Sequence, residues 1–173
     1  VPPKKEHRWD DTSPGNMRWL IEHSLYYLCQ LLFPDVVEKP HKEICEFLED
    51  FGKTSKSRDT HLDPNYKLLI GSRKILKTTI KQAFMCQLGL RNPNIRMLNL
   101  LSTLENAKAD LGMIKQLFDN PILLSLYPHV IPSEKERKKH KWSEEQVCLK
   151  RTEQYPEPTY TAAGVGKTLT SRH

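Results

Sequence analysis

Between a short apolar run, Tyr66-Lys67-Leu68-Leu69-Ile70, and a helical pattern opening at Lys77 lies Gly71-Ser72-Arg73-Lys74-Ile75-Leu76-Lys77-Thr78-Thr79. A glycine, four free positions, a second glycine, lysine and then serine or threonine, set between a buried strand and a helix, make a phosphate-binding (Walker A) loop. Gly71, Lys77 and Thr78 stand in that register. The chemistry asks for these residue types. Backbone N–H groups from Ser72 to Ile75 wrap the phosphate oxygens, and the helix N-terminus faces the anion. The Lys77 ammonium reaches the terminal phosphates, and the Thr78 hydroxyl coordinates Mg²⁺. One position departs from the pattern: Leu76 stands where the second glycine is expected. A side chain there either crowds the phosphates or resists the conformation glycine permits. On spacing alone the segment also reads as a basic strand-to-helix turn that binds nothing.

The elements that must position this loop follow from hydrophobic period and breakers. Ser13-Pro14 gives an N-cap with proline at the first helical position, and apolar residues from Leu20 to Leu32 recur at helical spacing until Pro34. Pro40 opens a second helix carrying Ile44, Phe47, Leu48 and Phe51 on one face, stopped by Gly52. Residues 53–64 read as a basic loop and 66–70 as a buried strand. The chain then reads as a turn at 71–76, a helix at 77–90, a strand at 95–101 and a helix at 103–120. Residues 121–142 are irregular, with a short helix at 122–127; strands are expected at 146–150 and 159–163. Strand, loop, helix, strand, helix is the order of a parallel α/β sheet. Gly164-Val165-Gly166-Lys167-Thr168 offers a second Gly-Lys-Thr, but no apolar helix follows it, and it reads as a turn.

Composition narrows the class. At 173 residues with 38% hydrophobic and 28% charged residues, the chain holds about one core. No apolar run approaches the roughly 20 residues that span a bilayer, so no membrane association is expected. Cys29, Cys45, Cys86 and Cys148 lie far apart, without zinc spacing, and read as buried reduced thiols of a cytosolic protein. The net charge of +6 concentrates in 53–58 and 135–141, which are either solvated loops or contacts to a phosphate backbone. The first and last residues, Val1 and His173, read as edges of a fragment. The three tryptophans read as packing residues.

The run from Gly71 to Thr79 resembles the Walker A region of phage terminase large subunits, written glycine-x-Arg-x-x-x-Lys-Thr/Ser-Thr. Arg73, Lys77, Thr78 and Thr79 match it, whereas Lys74 stands where many members have glycine. Pro40 to Leu48 resembles the family's helix beside the adenine site, which implies a nucleotide contact for His41. Arg96 to Thr103 is similar to its second strand, ending in Ser102-Thr103, and Thr103 to Ala107 to the helix start that follows. Trp142-Ser143 and Val147 to Arg151 look like a later strand. Thr159 to Gly166, with Arg172-His173, resembles the lead-in to the Walker B strand. The likeness covers roughly residues 38 to 173.

The resemblance implies an α/β fold, a P-loop NTPase-type parallel sheet flanked by helices. An N-terminal helical extension (1–36) would precede a partial ATPase domain (37–173). It implies ATP and Mg²⁺ as ligands, held by residues 71–79 and His41, with Thr78 on the metal. Arg73 and Lys77 would be catalytic, Arg73 stabilising transferring phosphoryl charge as an arginine finger does. Arg73 otherwise reads as a solvated loop charge. In the whole protein, ATP hydrolysis would drive double-stranded DNA into a capsid in the host cell cytoplasm. Portal, capsid, the small terminase subunit and further copies of the chain would be partners. The family's catalytic acids are expected beyond His173, so these residues alone would bind rather than hydrolyse ATP. A helicase-like P-loop ATPase and a nucleotide-incompetent DNA- or capsid-binding scaffold remain the alternatives.

Overall fold

A serine in the middle of an apolar period decides how the N-terminal segment folds in this computed structural model, which describes residues 8–36, 39–50, 68–139 and 141–165. The single helix expected up to Phe33 is two: α1 (Pro14–His23) and α2 (Leu25–Leu32). Ser24 is extended (φ −138°), and its hydroxyl accepts from Tyr27 N at 3.2 Å. The Glu49 carboxylate accepts from Leu25 N at 2.5 Å. Two acceptors for the first amides of α2 make a new helix start competitive with continuation. Next come α3 (His41–Glu49) and α4 (Lys77–Arg91).

The chain forms two compact units that divide between Gln87 and Leu88, inside α4. In the first unit, Leu25, Tyr26 and Cys29 of α2, Val36, Ile44 and Cys45 of α3, and Ile80 and Ala83 of α4 make one apolar cluster. Phe33, Leu48, Leu69, Ile75, Leu76 and Phe84 pack against it. Cys45 Sγ donates to Cys29 Sγ across 3.9 Å. That bond and burial push the Cys29 thiol far up, and burial alone does the same to Cys86. Cys29, Cys45 and Cys86 are buried free thiols, as expected, and Cys148 is half-buried.

The second unit contains β1 (Met97–Leu101), α5 (Leu104–Phe118), α6 (Pro121–Leu126), α7 (Glu134–Arg137), β2 (Gln146–Val147) and β3 (Tyr160–Gly164). Its sheet has the order β1-β3-β2. β1 and β3 are parallel, Met97 opposite Tyr160 and Leu101 opposite Gly164, while β2 is antiparallel to β3. Thr103 caps α5, accepting from Asn106 N at 3.2 Å, and its buried stripe (Ala107, Leu111, Ile114, Phe118) covers β1 and β3. Gly164 is required by close approach: a Cβ there would lie 2.5 Å from Leu104 N and 2.9 Å from the Thr103 carbonyl carbon.

The mixed α/β class is as expected, and the sheet is smaller than expected. Residues 68–70 form no strand, and Leu68 and Ile70 are 79% and 80% exposed. An apolar run becomes a parallel strand only with a ladder partner and covered faces. No described residue of the first unit forms a strand that could pair with 68–70. The expected strand at 146–150 shortens to β2, extended by a single bridge between Trp142 and Val147. Residues 66–67, the basic loop at 53–64, the helix end at Phe51-Gly52 and the turn residues 166–168 lie outside the described residues. Among the described residues, no helix is long and apolar enough to cross a membrane.

Candidate phosphate-binding loop

The sequence from Gly71 to Leu76 builds an irregular, largely exposed turn that feeds directly into α4. Among the described residues, two non-glycine residues occupy the left-handed region, Lys74 (φ 70°) and Leu76 (φ 52°). L-residues avoid this region because Cβ crowds the following carbonyl. Both lie in the loop, at the two positions where the phosphate-loop pattern or its terminase form carries glycine. The sequence departs from glycine there, and the backbone keeps the conformation that glycine would adopt freely.

Lys77, the first residue of α4, folds back over the loop. Its Nζ donates to Gly71 O at 2.8 Å and also to Ser72 O. An ammonium has three protons, so two loop carbonyls fix its position and leave a donor for an anion. Gly71 makes room for this arrangement. A Cβ on it would lie 2.7 Å from Ile75 Cδ1 and 3.4 Å from Lys77 Cδ.

Leu76 O accepts from Ile80 N at 2.9 Å, which begins the α4 ladder. A leucine just before a helix carries no side-chain oxygen, so its own side chain cannot cap the amides of Thr78 and Thr79. These amides, the positive end of a 15-residue helix and the Lys77 ammonium together form a set of donors suited to an anion. Thr78 is exposed, and its hydroxyl has no protein partner among the described residues.

The expected site residues fall in two places. Gly71, Ser72, Arg73, Lys74, Ile75, Leu76, Lys77, Thr78 and Thr79 form one continuous loop and helix start. Ser72, Arg73 and Lys74 are exposed, and the Arg73 and Lys74 side chains have no partner among the described residues. Ile75 and Leu76 are half-buried against the apolar cluster. His41 is buried at the first residue of α3, in the same unit. Two features escaped the sequence reading: the Gly71 and Ser72 carbonyls as acceptors for Lys77, and the core contact of Leu76. The adjacent apolar pair Ile75-Leu76, in a segment otherwise built for an anion, was the available signal for the second.

Among the described residues, no group of three or more His, Cys, Asp or Glu gathers to hold a metal. No family model, curated protein or solved structure matches this chain.

Proposed function

We propose that this chain binds Mg·ATP through residues 71–79, as the nucleotide-binding part of a viral DNA-packaging motor of the terminase large-subunit kind. The observation that carries the reading is the left-handed backbone at Lys74 and Leu76, joined to a Lys77 ammonium held on the Gly71 and Ser72 carbonyls. A chain keeps two residues in an unfavourable conformation only when its surroundings over-determine it, and such strain clusters at ligand sites.

In this reading the amides of the loop and of Thr78 and Thr79 take the phosphate oxygens. Lys77 neutralises the terminal phosphates, and Thr78 supplies a ligand to Mg²⁺. Mg²⁺ when bound would offset charge on the phosphates. The exposed Arg73 guanidinium is placed in the loop itself, where it would stabilise charge on a transferring phosphoryl group. Coupling of hydrolysis to movement of double-stranded DNA, and assembly with portal, capsid, small subunit and further copies, belong to the same proposal and rest on the resemblance.

One observation favours the scaffold reading instead: residues 68–70, which should form the strand feeding the loop, are exposed and irregular. Amide chemical-shift mapping separates the two. Inorganic tripolyphosphate with Mg²⁺ is expected to shift the amides of 71–79 first. Shifts absent from that segment would leave the scaffold.

A further inference from the structure

Leu76 looks like a defect in the loop, yet its surroundings hold it on both sides. Its carbonyl accepts from Ile80 N–H at 2.9 Å, and its side chain, like those of Ile75 and Leu69, packs against the apolar cluster of the first unit. Nothing in leucine itself favours φ 52°, since it has no polar group to bond locally as asparagine or aspartate does. The left-handed turn is therefore imposed through the side chain.

We propose that Leu76 is a positioning residue, which holds the anion-binding shape of the loop by core burial where other phosphate loops rely on the freedom of glycine. The proposal rests on the phosphate-site reading above. A side chain committed to the cluster is not available to crowd an anion at the loop amides. It also links Lys77 to the core through one peptide bond, so the ammonium and the start of α4 are set before any ligand arrives. Glycine at 76 permits the same turn together with many others. The binding-competent fraction falls, and apparent affinity falls with it. Simple crowding gives the opposite sign, because removing the side chain would then tighten binding.

The experiment is calorimetric titration of inorganic tripolyphosphate with Mg²⁺ into wild type, Lys77→Ala, Leu76→Met and Leu76→Gly. Methionine keeps the apolar volume and is expected to bind within about twofold of wild type. Glycine is expected to bind about tenfold more weakly, equivalent to about 1.4 kcal/mol. Glycine binding as tightly as wild type or tighter, with Lys77→Ala still weak, overturns the anchoring role and leaves the phosphate site standing. Absence of binding by wild type overturns both. Hydrogen exchange of the Ile80 amide in ligand-free wild type gives a test that needs no variant. Protection comparable to the middle of α4 is expected, and exchange at the rate of a free chain overturns a pre-set loop.

Discussion

Replacing Lys74 by glycine should stabilise the protein, which is unusual for a lysine-to-glycine change beside a helix. Lys74 has φ 70°, is exposed, and its side chain has no partner among the described residues, so the substitution removes none of the described bonds. Relief of the left-handed conformation contributes about 1–2 kcal/mol. The greater freedom of glycine in the unfolded chain opposes this by about 0.5–1 kcal/mol. The net is a gain of up to about 1.5 kcal/mol. Leu76→Gly brings the same relief but strips a half-buried leucine from the cluster, which costs about 1–2 kcal/mol, so it should destabilise. Urea unfolding followed by tryptophan fluorescence measures both, since Trp9 and Trp19 lie in the same unit as the loop. A Lys74→Gly protein less stable than wild type by about 0.5 kcal/mol or more would refute the strain argument. Equal shifts in the two variants would refute the distinction drawn between an exposed and an anchored left-handed residue.

Arg151 ties two loops of the second unit together, donating from Nε to Pro93 O at 3.3 Å and Thr159 Oγ1 at 3.2 Å, and from its other nitrogens to Ile95 O and Glu157 O. Lysine cannot reproduce that fork, so Arg151→Lys should lose about 2 kcal/mol in chemical denaturation. Gly164→Ala drives a Cβ into backbone atoms of Thr103 and Leu104 and should cost about 1–3 kcal/mol by thermal unfolding. The Glu136 carboxyl, bonded by Lys150 and by the Ser133 side chain and backbone, is pulled down from 4.5 to about 2. A depressed carboxyl stabilises the fold above its unfolded value and loses that contribution as pH falls through the folded one, here between 4.5 and about 2. An NMR titration should place its midpoint near that lower value, and Lys150→Met should raise it.

Local signals carried most of the element order. Proline at the first turn of α1, the helical period of α5 and the short apolar runs at β1 and β3 each act within a few residues and are visible in sequence. What stayed hidden depends on distant partners. Ser24 divides α1 from α2 because Glu49, far along the chain, supplies a second acceptor. Residues 68–70 have the composition of a buried strand, but composition cannot provide a ladder partner, and the described sheet lies wholly in the second unit. At the loop, the spacing of Gly71, Lys77 and Thr78 was legible, and Leu76 read as an intrusion. Its side chain instead packs against the core cluster, a contact that the motif does not contain.

The most direct test of the phosphate-loop assignment is the affinity of Mg·ATP for wild type and for Lys77→Ala by calorimetry. Lys77 donates to two loop carbonyls at the start of α4, and losing a charge-assisted contact costs about 1.5–3 kcal/mol. The expected result is binding by wild type that weakens by about ten- to a hundredfold in Lys77→Ala, with Lys74→Ala changing little. No binding by wild type, or equal affinity in the Lys77→Ala protein, would contradict a phosphate site at this loop.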